Sequence, residues 1–259
     1  MRKYMQGSFF NDLTARVHNG DKAFVLLIDP DEYSEEQLTK TLQLASRAGV
    51  DYLFLGGSLL VHDHLSRNIN QVREHTDLHC VLFPGSPLQF HPEADAMLFL
   101  SLISGRNPDM LIGRHIEVAP LIKQSNVEPV PTGYMLIDGG RPTSVSYVSN
   151  TQPIPSDKPD IAASTAMAGE MLGLQCIYMD AGSGAKEPVS PRMIEKVKES
   201  ISAPLIVGGG MKTKEDITNA AKAGGDVVVV GNAIQDGLDQ LPALVESFHS
   251  LSKSRHEAS

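Results

Sequence analysis

Along nearly the whole chain, short apolar runs alternate with amphipathic stretches, and this alternation restricts the possible folds more than any other feature. Continuous apolar runs belong to strands buried on both faces, and a helix-length connection after each one joins parallel neighbours. The runs read as strands are Ala23–Ile28, Tyr52–Leu55, His79–Phe83, Ala96–Leu102, Thr132–Ile137, Leu174–Met179, Pro204–Val207 and Asp226–Val230. Helical patterns lie between them at Ser34–Ala48, Ser58–Glu74, Pro108–Gln124, Lys158–Leu172, Pro191–Ile201 and Lys214–Ala223, with a last one at about Leu238–Leu251. Several open on Ser, Thr, Asp or Pro, residues that suit a helix start. Eight strands within 259 residues predict an α/β fold, a single (β/α)8 barrel over residues 1–251 with a frayed polar tail at 252–259.

Two segments break the rhythm. Pro84–Glu93 is too short and too rich in proline to hold a crossover helix, so the helix after the third strand is expected to be replaced by an irregular segment. Gly139–Lys158 is long and polar, which predicts a large loop over the carboxyl ends of the strands. An apolar content of 41% supports a large core. A net charge of −9 argues against nucleic acid as a partner, since binding the phosphate backbone needs clustered Lys and Arg. No apolar stretch suits a signal peptide or a membrane helix, so the expectation is a cytoplasmic protein with at most peripheral membrane contact. Cys80 and Cys176 sit inside strand-like runs and read as reduced core thiols.

In a barrel of this kind the reactive groups stand at the carboxyl ends of the strands. Those ends here carry Asp29-Pro30-Asp31, Gly56-Gly57-Ser58, Tyr178 through Gly184, Gly208-Gly209-Gly210 and Gly231-Asn232. Glycines after the last two strands let backbone N–H groups approach a phosphate, helped by the following helix N-terminus; the plain alternative is that they only form tight turns. A carboxylate at the end of an apolar strand needs a partner, and Asp29 with Ser58 on the adjacent strand makes a half-site for magnesium and a diphosphate. Asp31 reads as the cap of the helix beginning near Ser34. Tyr178 and Asp180 are two apart on one strand and project together, with Met179 opposite. They could orient an alcohol and remove its proton, although Tyr178 alone could equally be core packing. The nine histidines show no metal-ligand spacing and read as surface or loop residues.

Taken in chain order, Leu27-Ile28-Asp29-Pro30-Asp31, Gly56-Gly57-Ser58, Phe83-Pro84-Gly85, Thr143-Ser144-Val145, Pro153-Ile154-Pro155, Ala181-Gly182-Ser183-Gly184, Val207-Gly208-Gly209-Gly210 and Gly231-Asn232 resemble the geranylgeranylglyceryl phosphate synthases, particularly their second phylogenetic group. The resemblance spans nearly the whole chain. It implies a barrel lacking its third helix, and magnesium at Asp29 and Ser58. It also implies a glycerol-1-phosphate site at Tyr178, Asp180, Ala181, Gly182, Ser183, Gly184, Gly209, Gly210, Gly231 and Asn232, with Asp180 and Tyr178 catalytic. The small-molecule partners so implied are glycerol-1-phosphate and geranylgeranyl diphosphate. Two positions depart from the family pattern. Asp180 stands where the family usually has Glu, and Leu27 stands where the first group has Lys.

Three readings compete: the prenyl transfer that the resemblance implies, chemistry on another sugar or heterocycle phosphate, and phosphometabolite binding without catalysis. The second needs a further acid or base at a strand end, for which Asp138 is the available residue. Acidic barrels of this type are expected to self-associate, so a homo-oligomer is anticipated.

Overall fold

A computed structural model describes residues 8–62, 64–231 and 237–256. Eight parallel strands close into a barrel in sequence order, each hydrogen-bonded to the next and the last to the first. They are β1 (Ala23–Ile28), β2 (Tyr52–Leu55), β3 (His79–Leu82), β4 (Ala96–Leu102), β5 (Glu128–Leu136), β6 (Cys176–Asp180), β7 (Leu205–Gly208) and β8 (Val227–Val230). Side chains alternate between two cores, as the strand period of two demands. Val25, Phe54, Tyr134, Tyr178 and Val229 fill the barrel, while Leu26, Leu53, Met135, Met179 and Val228 face the helices. Cys176 lies inside and Cys80 outside, both buried and neither in a disulfide among the described residues.

Around the barrel lie α2 (Glu35–Ala48), α3 (Leu65–His75), α4 (Arg114–Lys123), α6 (Pro159–Met171), α7 (Pro191–Lys198), α8 (Lys214–Lys222) and α9 (Leu241–His256). Ser34 opens α2 with a capping box to Gln37, because its hydroxyl and the glutamine side chain satisfy each other's backbone amides. Only a 3₁₀ turn, Pro87–Gln89, occupies the connection after β3, as the prolines there predict. The short α5 (Ser144–Ser149) stands within the long loop after β5.

Several boundaries differ from the sequence pattern. β5 begins four residues before the expected Thr132 and includes Pro129 and Pro131. Both lie ahead of the β5–β6 ladder, which starts only with the Thr132–Cys176 pair, so their missing N–H groups interrupt no pair of it. α3 starts at Leu65 rather than Ser58, because the chain from Gly56 onwards lines the barrel mouth. α4 is preceded by a π-helical turn, Asp109–Gly113. α9 continues to His256, past the expected end at Leu251.

A further helix lies ahead of β1, outside those that the sequence pattern predicts. α1 (Phe9–His18) is capped by Ser8 and closes the amino end of the barrel. Phe9 and Leu13 are buried one turn apart, and the Phe9 ring packs edge-on against Tyr52 and Phe54. The Tyr52 hydroxyl donates to Asp12, and Arg16 pairs with Asp51 at 2.7 Å. The residue just before each of three strands repeats one device. Asp51, Asp95 and Asp226 accept the backbone N–H of Phe24, Cys80 and Leu205 on the preceding strand, at 2.7–2.8 Å. Each carboxylate thereby fixes the register of a strand pair at the floor, leaving the opposite rim to the site. Among the described residues no helix is long and apolar enough to cross a membrane.

Candidate active site

A cavity of about 370 Å³ opens at the carboxyl end of the barrel. It brings together Asp29, Ser58, Tyr178, Asp180, Ser183, Gly184, Gly209, Gly210 and Gly231 from five strand ends. Asn232 lies outside the described residues. Ala181 and Gly182 do not line this cavity. Their amides are engaged within the wall, Ala181 N–H with the Gly208 carbonyl at 3.2 Å and Gly182 N–H with Asp180 Oδ1 at 2.6 Å.

Asp180 ends β6 and is only 6% exposed. Its second oxygen, Oδ2, accepts the Tyr134 hydroxyl at 2.7 Å. Burial pushes the carboxyl pKa up, against the opposing pull of the Tyr134 and Gly182 hydrogen bonds. Tyr134 was not singled out by the sequence, since its approach to Asp180 depends on the β5–β6 register, in which Tyr134 pairs with Tyr178. Tyr178 is buried with its ring 5.4 Å from Tyr134 and 5.1 Å from Phe83, forming an aromatic floor. Gly209 takes the left-handed conformation at φ +78°, and a Cβ there would stand 2.3 Å from Asp180 Oδ1, so no larger residue fits. The Gly209 and Gly210 amides donate to nothing among the described residues and are available to an anion. Ahead of the helix that follows β7, the Asp216 carboxylate accepts the Lys212 and Thr213 amides at 3.0 and 2.9 Å and so withholds these two from a ligand.

On the opposite rim Asp29 accepts the Asp31 amide at 3.0 Å, and its pKa is pushed up to about 6 by burial, with the Glu32 and Asp31 charges adding to it. Gly57 allows the close approach of β2 to β1, since a Cβ there would lie 2.6 Å from Asp29 Oδ2. Asp31 does not cap α2. It reaches to the adjacent loop to accept the amides of Val61 and His62 at 2.6 and 3.2 Å, tying down the chain before α3. Asp138 is exposed, accepts the Gly140 amide and lies outside the cavity, so it supplies no second acid or base there. His79 and His115 depart from the surface reading. His79 is buried beneath the barrel, and His115 faces the cavity beside Phe99 at 4.4 Å between rings.

From the mouth the cavity continues outwards. Met97, Phe99 and Pro87 line it together with Met110, His115 and Val118 of the π-turn and α4. Met97 and Phe99 point to the outside of β4, a face that a crossover helix would otherwise cover. An apolar groove therefore runs from the polar rim through the gap left after β3.

The PcrB family profile matches residues 16–248. A geranylgeranylglyceryl phosphate synthase of Chitinophaga pinensis is 48% identical over 95% of this chain and 98% of its own length. One of Spirosoma linguale is 48% identical over 91% and 95%. The crystal structure of (S)-3-O-geranylgeranylglyceryl phosphate synthase from Thermoplasma acidophilum, in complex with its substrate sn-glycerol-1-phosphate, superposes with a TM-score of 0.89. It is 30% identical and covers 95% of this chain and all of that one. With its barrel, its broken third unit and these relatives along nearly its full length, the chain belongs to the PcrB family, that of the geranylgeranylglyceryl phosphate synthases.

Proposed function

We propose that this enzyme forms an ether bond between sn-glycerol 1-phosphate and geranylgeranyl diphosphate, releasing diphosphate with magnesium as cofactor. The observation that carries the reading is a single cavity with two polar rims and one apolar exit. Free amides and a buried carboxylate stand on one rim, Asp29 and Ser58 on the other. The relatives' shared activity and the glycerol-1-phosphate bound to the Thermoplasma acidophilum protein support it.

The residues present fit magnesium. Asp29 is a half-buried carboxylate with an upward-shifted pKa beside two further negative charges, a setting that a hard cation relieves. Among the described residues no group of three or more acidic, His or Cys side chains forms a closed metal site. That suits an ion held by one or two protein oxygens, with the remaining positions left to water and a substrate diphosphate. Asp29 and Ser58 would hold it, and the chemistry it supplies there is neutralisation of charge on the leaving diphosphate.

The chain's own residues perform the rest. Gly209 and Gly210 present amides to the glycerol phosphate and so fix which hydroxyl faces the donor. Tyr178 orients that hydroxyl, and Asp180 is the final acceptor of its proton as the oxygen attacks carbon one of the donor. The groove takes up the prenyl tail, each buried CH₂ contributing roughly 0.8 kcal/mol, and keeps water from the allylic carbon. Purified protein incubated with sn-glycerol 1-phosphate, radiolabelled geranylgeranyl diphosphate and magnesium should yield an extractable labelled lipid. Absence of that product would overturn the reading.

A further inference from the structure

Asp180 is one methylene shorter than the Glu usual at this position, and both of its oxygens are engaged in the barrel wall. Oδ1 lies 2.6 Å from the Gly182 amide and is packed against Gly209, while Oδ2 accepts the Tyr134 hydroxyl at 2.7 Å. Tyr134 is itself 6% exposed, lines the cavity and is held by the rings of Tyr178 and Phe83, at 5.4 and 6.1 Å. Its hydroxyl hydrogen is directed to Asp180, so the lone pairs on its oxygen remain to accept from another donor. A rigid phenol between a recessed carboxylate and a cavity is the arrangement of a proton carrier.

We propose that in this chain the glycerol hydroxyl gives its proton to Tyr134 while Tyr134 passes its own to Asp180. The inference rests on the prenyl-transfer reading above and deepens it. The balance is complete without any further reactant. The donor's C1–O bond breaks with its electron pair leaving on diphosphate, and the glycerol oxygen forms the new C–O bond. Its proton moves to Tyr134 Oη, and the phenolic proton moves to Asp180 Oδ2. Tyrosine ends neutral and the carboxylate ends as the acid. Burial favours both ends of the transfer: it raises the affinity of Asp180 for a proton and disfavours a standing tyrosinate, so the two hops are coupled.

The test compares single-turnover rates of the wild type, Tyr134→Phe, Asp180→Glu and the double variant, each checked for an unchanged fold by thermal unfolding. Tyr134→Phe should lose roughly 100-fold in rate with glycerol-1-phosphate affinity nearly unchanged. Adding Asp180→Glu to it should recover at least about tenfold of that loss, because the longer carboxylate reaches the alcohol directly. A tyrosine that merely packs or positions the carboxylate would not be replaced in this way. Wild-type turnover with a Tyr134→Phe rate within about threefold, or with no recovery in the double variant, would overturn the relay alone. No wild-type turnover would overturn it together with the proposed function.

Discussion

Asp180 and Tyr178 were legible as a pair because two residues at strand period, followed by Gly182 and Gly184, leave little choice of direction. Tyr134 was not, since a tyrosine inside an apolar strand looks like core until the register of its neighbour is known. Asp29 carries the first prediction. Asp29→Asn should lower turnover by roughly 100-fold or more, as that carboxylate would hold the proposed magnesium, whose charge stabilisation is worth several kcal/mol. Glycerol-1-phosphate binding, followed by calorimetry, should stay as it is, because the site proposed for it stands on the other rim. Gly209 carries the second. Gly209→Ala puts a methyl group against Asp180 and the Ala181 amide at φ +78° and should destabilise the protein by roughly 1–3 kcal/mol. Thermal unfolding would register this, and glycerol-1-phosphate affinity should fall with it.

Strands and helices were read well where burial and period agree, as in β1, β2 and β4, whose observed limits equal the expected ones. The pattern failed where tertiary partners override it. Prolines conceal the start of β5, and α1 falls outside the alternating pattern although Phe9, Leu13 and Val17 share one helical face. Phe9 closes the barrel floor, so Phe9→Ala should cost about 3–5 kcal/mol in urea unfolding. A change below about 1 kcal/mol would deny α1 its part in the core. At the other end of the chain, His249 of α9 lies 3.3 Å from Asp51 Oδ2, though without hydrogen-bond alignment. The Asp51 carboxylate raises the His249 pKa against the effect of burial. With the folded value above the unfolded one of about 6.5, the stabilisation is complete below that pH and fades as pH rises through the folded value. His249→Gln should flatten the pH dependence of unfolding free energy across that window; an unaltered slope would exclude the pair as its source.

The molecule as a whole separates its tasks between the two ends of one barrel. Carboxylates before the strands and the helix α1 fix the floor, while the rim is left to glycines, carboxylates and a missing helix. Absence of the crossover after β3 bares the outer face of β4 and turns a closed mouth into a mouth with a groove. Phe99 tests that geometry. Phe99→Asp places a charge in the apolar wall and should raise the KM for the prenyl donor by roughly tenfold or more. The glycerol-1-phosphate KM should be unaffected, and equal effects on both would argue that the groove is no separate compartment.

By itself the sequence determined the barrel, the interrupted third unit and the strand ends that bear the chemistry, because alternating burial and glycine placement are local properties. Only the tertiary structure decided which of those residues touch. The Tyr134–Asp180 bond and the use of Asp31 as a loop anchor both depend on neighbouring strands and loops that only the closed sheet brings together. Spacing along a chain fixes the face on which a side chain stands, and the closing of the sheet fixes what stands opposite.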